Sequence, residues 1–213
     1  MRVLIALNGH ALLRRGIAIE PGARQRDIDA TAQALARIAV EHEVVIAHGG
    51  GVEVGSILEL GLRNAVPDRE IVTVLSQVVV GGDDVARGAR SEPPLARPRA
   101  IVGLRSLRTL IDAGALVICA TGEIPVAIDG DGTMCGVDAE VDKDLIAGLL
   151  ARRLDADLLL MLTDVDAAGH EVEAACSFVE ATGRRAAIGA TADAVEMVCG
   201  AAGTQIAPVT AQA

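Results

Sequence analysis

The chain contains no tryptophan and no tyrosine, and a single phenylalanine, Phe178. A core built without rings must be aliphatic, and the material is there: 51% of the residues are hydrophobic, mostly Ala, Val, Leu and Ile. The same lack excludes binding nucleic acid by base stacking, which needs aromatic faces. Positive charge is also scarce. With 19 basic residues against 29 acidic ones, the formal net charge is −10, and such a chain attracts neither nucleic acid nor an anionic membrane surface. A small anion is not excluded, because the dipoles of turns and helix starts act locally. Lysine is almost missing: Lys143 stands alone among arginines. Arginine richness has a genomic G+C bias as its plain explanation, but a single lysine inside a motif stands out against it.

No apolar run approaches the ~20 residues of a membrane span, and no apolar leader precedes the first strand-like run. The expectation is a cytoplasmic protein. Four cysteines, Cys119, Cys135, Cys176 and Cys199, are widely spaced and form no CxxC pair. Metal clusters and disulfide scaffolds want tighter or more numerous cysteines, so these read as buried free thiols. No HxxxH, HExxH or GxSxG arrangement is present, which argues against a metal triad or a nucleophile elbow.

What is there is alternation. Apolar strand-like runs at Arg2–Leu7, Val44–Ala47, Ile71–Val80, Leu116–Ala120, Leu158–Thr163 and Arg185–Ile188 are separated by helical patterns at Ile28–Glu41, Val54–Asn64, Ile101–Ala113, Lys143–Leu154, Glu171–Ala181 and Thr191–Cys199. Val126–Ile128 and Met134–Gly136 flank Asp129-Gly130-Asp131-Gly132, a hairpin signature. Gly81–Pro98 reads as a loop, and Thr204–Ile206 as a last edge strand. Solidly apolar strands alternating with helices predict an α/β fold: a mostly parallel sheet covered on both faces, in three α/β/α layers. In such sheets ligands bind beyond the carboxyl ends of the strands.

Three strands end there in glycine-bearing turns: Asn8-Gly9, Gly49-Gly50-Gly51 and Thr121-Gly122. Glycine removes the Cβ, so backbone N–H groups can approach an anion. Each turn equally suits a plain tight bend. None is a GxxxxGK[ST] loop or a GxGxxG fingerprint. Asp142-Lys143-Asp144 opens a helix. An Asp in the first turn suits the helix dipole, the plain reading. The alternative is a phosphate-directed lysine, with carboxylates that hold magnesium or fix the lysine, as phosphoryl transfer requires. Thr163-Asp164-Val165-Asp166 follows a strand, either as an Asx turn or as a ligand loop.

In this order the segments resemble carbamate kinases of the amino acid kinase family. Ala6–Leu13 (ALNGHALL) is similar to the family's ALGGNALL, and Ala47–Gly55 (AHGGGVEVG) to THGNGPQVG. Gly136–Leu145 (GVDAEVDKDL) resembles GVEAVIDKDL, and Leu158–Ala167 (LLLMLTDVDA) resembles LLLILTDVDAV. Val74–Val80, Ile124–Val126, Glu173–Cys176 and Gly203–Ile206 fit as well, so the resemblance covers nearly the whole chain. It implies one amino-acid-kinase domain over 1–213, with an acid-binding lobe over about 1–115 and a nucleotide-side lobe over about 116–213. The sheet is expected to be eight-stranded and the protein a homodimer. The implied reaction is reversible phosphoryl transfer between MgATP and carbamate or a related small acid, with ATP or ADP and Mg2+ as cofactors.

By carry-over, Lys143 reaches the transferring phosphate, and Asp144 orients the lysine and the metal. Asn8, Gly9, Gly49, Gly50, Gly51 and Gly122 cradle the substrate and its phosphate, and His10 substitutes for a missing cation. Thr163, Asp164 and Val165 border the nucleotide. No residue is assigned as a metal ligand, and the expected partner is a small molecule.

The departures are specific. Carbamate kinases are longer by roughly a hundred residues. The lid expected between Gly61 and Ile71 is missing, and so is the nucleotide-side insertion that ends in SMGPK. Glu171 falls where that motif's lysine belongs, and Glu123 replaces a glycine of the family's GGGG turn. Two other readings follow: a degenerate scaffold that binds carbamoyl phosphate or a similar acid as a regulatory partner, and a nucleotide-independent enzyme on the same fold.

Overall fold

The computed structural model describes residues 1–7, 23–49, 51–81, 95–121, 125–163 and 169–208. In chain order the elements are β1 (Arg2–Leu7), α1 (Ala23–Glu41), β2 (Glu43–His48), α2 (Gly51–Ala65), β3 (Ile71–Ser76), β4 (Val78–Val80), β5 (Leu95–Ala96), β6 (Pro98–Ile101) and α3 (Leu104–Asp112). Then follow β7 (Leu116–Thr121), β8 (Val126–Ile128), β9 (Met134–Gly136), β10 (Glu140–Val141), α4 (Lys143–Arg153), β11 (Leu158–Leu162), α5 (His170–Thr182) and β12 (Arg185–Gly189). A 3₁₀ turn at Thr191–Asp193, α6 (Ala194–Val198) and β13 (Thr204–Ile206) close the series.

Seven strands form the main sheet in the order β13-β12-β11-β1-β2-β7-β3. All neighbours are parallel except β13, which runs antiparallel to β12 at one edge. The expected parallel sheet is there, with seven strands among the described residues where the resemblance implied eight. Its strands are apolar on both faces because both faces are covered. Leu4, Ala6, Val45, Ala47, Val117 and Met161 pack with α3, α4 and α5 on one side. Val3, Ile5, Val44, Ile46, Ile118 and Leu160 pack with α1, α2 and α6 on the other. The pleat's two-residue period thus divides one sheet between two aliphatic cores. Each fully buried Val, Leu or Ile contributes about 1.5–3 kcal/mol. Phe178 is fully buried, and it sits with α4 and α5.

The reading of Ile71–Val80 as one strand is corrected. The run breaks at Gln77: Ile71–Ser76 pairs with β7 in the main sheet, and Val78–Val80 joins a second, four-stranded sheet of order β6-β4-β8-β9. β-branched composition signals extended backbone but not which sheet it enters. Gly81–Pro98 is not wholly loop, since β5 pairs with β10, just ahead of the α4 start. The thiols are also corrected. All four are free, but only Cys119 is buried; Cys135 and Cys199 are exposed and Cys176 is intermediate. Burial pushes the Cys119 thiol up to about 12, so it behaves as a small apolar side chain. Among the described residues no helix is long and apolar enough to cross a membrane.

Candidate functional site

The register puts the ends of the parallel strands on one level. Leu7 stands opposite His48 and Leu162, Leu162 opposite Gly189, and His48 opposite Ala120. The carboxyl ends of β1, β2, β7 and β11 therefore lie along a single edge, where a doubly covered parallel sheet binds its ligands.

Lys143 is brought to this edge by contact with Gly49. A Cβ added at Gly49 would lie 2.8 Å from Lys143 Cβ and 3.1 Å from its Cδ, so the lysine stem occupies the space that glycine leaves. Here the absence of a side chain is required by close approach. Lys143 opens α4, whose N-cap is Asp142: Asp142 Oδ1 accepts from the N–H groups of Asp144 at 2.8 Å and Leu145 at 3.2 Å. Capping of this kind contributes about 1 kcal/mol. The helix itself is apolar nearly all round, with Ile146 to Ala151 buried, so its position in the protein interior is fixed by packing. Gly148 lets α5 approach, since a Cβ there would meet Ala174 Cβ at 3.2 Å.

The Lys143 ammonium donates to Asp144 Oδ2 at 2.7 Å. Asp144 is 8% exposed. Burial raises its carboxyl above the ordinary value, the hydrogen bond and charge of Lys143 pull it back, and the charges of Asp142 and Glu171 push it up again. The carboxylate is therefore costly to keep ionised, and the lysine beside it is what keeps it so.

The α5 N-terminus meets the same cluster. His170 Nδ1 lies 2.9 Å from Asp142 Oδ2, and Glu171, also buried, is near enough to act on Asp144 by charge. Neither contact was visible in the sequence, where His170 and Asp142 stand 28 positions apart (170 − 142). A histidine following Gly169 at a helix start was the available signal. Thr163, one residue past β11, is buried and donates its N–H to the Gly189 carbonyl at 2.9 Å. Gly51 is the first residue of α2.

The structure thus brings together Gly49, Lys143 and Asp144 from the predicted set, places Gly51 and Thr163 on the same edge, and adds Asp142, His170 and Glu171. Asn8, Gly9, His10, Gly50, Gly122, Asp164 and Val165 lie outside the described residues, as does Glu123.

His48 ends β2 with its ring turned the other way, against α2 and β3. It is 2% exposed, and neither ring nitrogen has a hydrogen-bond partner. A Cβ on Gly55 would come within 2.9 Å of its Nε2. Burial lowers the imidazole to about 4, so the ring is neutral and serves as packing beneath the glycine turn. A separate groove of about 110 Å3 lies between α4 and α5, lined by Arg97, Leu145, Gly148, Arg152, Glu173 and Ser177. Lys143 and Gly49 do not line it.

No cluster of three or more His, Cys, Asp or Glu side chains among the described residues is arranged to hold a metal ion. What the cluster offers is a half-buried lysine held by a buried carboxylate, beside two helix N-termini and a glycine turn. That arrangement suits a phosphate or carboxylate group.

Comparison with known proteins identifies the family. The family model described as the amino acid kinase family matches residues 1–175. The carbamate kinase of Rhizobium meliloti (strain 1021) is 33% identical, over 97% of this chain and 93% of the relative. That alignment spans 301 positions against 213 residues here, so the shortening lies in internal gaps. The carbamate kinase of Haemophilus influenzae is 29% identical over 99% of this chain and 98% of its own. Among solved structures, carbamate kinase from Giardia lamblia bound to AMP-PNP superimposes with a TM-score of 0.85 at 26% identity, covering 97% of this chain and 98% of that one.

Proposed function

The chain belongs to the amino acid kinase family as a shortened relative of the carbamate kinases, and from that premise we propose that it is a carbamate-kinase-like phosphotransferase. The reaction is carbamoyl phosphate and ADP giving carbamate and ATP, in either direction. The bond between phosphorus and the carbamoyl oxygen breaks, a bond to the terminal phosphate oxygen of ADP forms, and carbamate leaves with the carbamoyl oxygen. The observation that carries this reading is Lys143, the only lysine, seated on Gly49 at the strand ends and held by Asp144.

Such a transfer asks little covalent chemistry of the protein; positioning and charge do the work. The Lys143 ammonium meets the negative charge on the phosphoryl oxygens. Asp144 aims it, and the partial burial of the lysine reduces screening of the interaction by water. The α4 and α5 N-termini add their dipoles. Gly49 and Gly51, with Asn8, Gly9, Gly50 and Gly122, line the substrate side in this reading. Thr163, Asp164 and Val165 border the nucleotide, and His10 belongs to the phosphate loop. Magnesium arrives as part of the nucleotide substrate, where it neutralises phosphate charge. The same reading includes one kinase domain with two lobes, a homodimer and a cytoplasmic setting. Relatives that match from end to end favour the enzyme over a non-catalytic scaffold.

Phosphorus NMR separates the alternatives. The intact protein with carbamoyl phosphate and MgADP is expected to produce ATP resonances, and none without ADP. Carbamoyl phosphate consumed equally fast without nucleotide would indicate the nucleotide-independent enzyme. No consumption, with no heat on titrating ADP, would leave a binding protein.

A further inference from the structure

We propose that His170 is a phosphate-binding residue of this site, supplying from α5 the positive charge that Glu171 does not. The proposal rests on the phosphotransferase reading. His170 Nδ1 is 2.9 Å from Asp142 Oδ2. An ionised carboxylate only accepts, so Nδ1 carries the hydrogen, and the other ring nitrogen, Nε2, is left for a ligand. Asp142 is used twice: Oδ1 takes the N–H groups of Asp144 and Leu145, and Oδ2 takes the imidazole. The ring is thereby fastened to the N-cap of the helix whose first residue is Lys143. The side chain is 36% exposed, so the ring stays open to solvent and to an incoming group.

Charge bookkeeping gives the ring its role. Among the described residues, Asp142 and Asp144 stand beside Lys143, whose ammonium is already paired with Asp144 at 2.7 Å, and Glu171 acts on Asp144 by its charge. A phosphate entering there brings further negative charge. Histidine is the side chain whose charge changes most readily near neutral pH. With Asp142 at Nδ1 and a phosphate oxygen at Nε2, the imidazolium bridges two anions. The position is also right for the dipole: an anion bound at the first residue of α5 lies at its positive end.

Two substitutions distinguish this from a structural role. His170→Gln keeps a donor for Asp142 but no charge; His170→Lys restores the cation. With carbamoyl phosphate and MgADP, kcat/KM for carbamoyl phosphate is expected to fall about 10–100-fold in His170→Gln. Most of it should return in His170→Lys, with the thermal midpoint unchanged in both. A His170→Gln protein with wild-type kcat/KM would overturn the proposal, and so would equal losses in both variants. Should the unmodified protein form no ATP, the phosphotransferase reading itself fails. His170 is then tested by line broadening of inorganic phosphate in phosphorus NMR. Broadening by the unmodified protein that His170→Gln abolishes supports the assignment, and broadening equal in both overturns it, as does none in either.

Discussion

Two helices, α4 and α5, start side by side in this molecule, linked by Asp142 and His170, and their starts are built differently. At α4 the N-cap is formed by a side chain, and the first residue is a lysine seated on a glycine turn. At α5 the N-cap is Gly169, with no side-chain cap bond, and the first turn carries Glu171 and Glu173. Further along, the two pack closely through Gly148 and Ala174. That close approach packs the helix bodies together, while the charged side chains sit at the ends. What differs between the two starts is the charge each offers a ligand, a lysine at α4 and glutamates at α5.

The largest effect that would break this comparison is at Gly49. In Gly49→Ala the new Cβ overlaps the Lys143 stem, and a displaced ammonium should lower kcat about 100-fold. Steady-state rates of ATP formation, with thermal melting as a control, check it. Turning α5 into a copy of α4 should do the reverse. Glu171→Lys is expected to lower the KM for MgADP about tenfold, less a few tenths of a kcal/mol for a cation at a helix N-terminus. An unchanged KM would mean that nucleotide phosphates do not approach α5.

Asp144→Asn separates stability from function within α4. The carboxyl is held above its ordinary value by burial, partly offset by Lys143, so its ionised form opposes folding at neutral pH. The amide should leave the melting temperature unchanged or higher while turnover falls several-fold, because the lysine loses its orienting partner. A drop in both would make Asp144 a structural anchor.

The smallest effect at neutral pH concerns His48, away from both helix starts. Its folded value of about 4 lies below the ordinary 6.5. The unfolded chain therefore takes up the proton first, and stability falls as pH drops from about 6.5 towards about 4, then levels off. Denaturant melts of His48→Asn against the wild type should show the difference shrinking through that range. A constant difference would contradict a neutral buried ring.

The α4 start was legible in the sequence because its determinants are local. Asp142 caps, Lys143 follows, and the strand-and-helix alternation sets the sheet around them. The α5 start was legible only as a departure, Glu171 in place of a lysine. His170 was passed over, since its partner is distant in the chain and meets it only when α4 and α5 pack. For the same reason the break at Gln77 and the pairing of β5 with β10 could not be read from composition: both depend on which neighbour a short strand finds. Cys135 and Cys199 were misplaced because apolar character describes the thiol, not its site.

The most direct test of the account is the rate of ATP formation from carbamoyl phosphate and MgADP by Lys143→Ala beside the wild type, with circular dichroism to confirm that both are folded. The wild-type rate is expected to fall about 100-fold or more in a variant that remains folded. Equal rates in the two proteins would show that phosphoryl transfer does not pass by Lys143, and would contradict it.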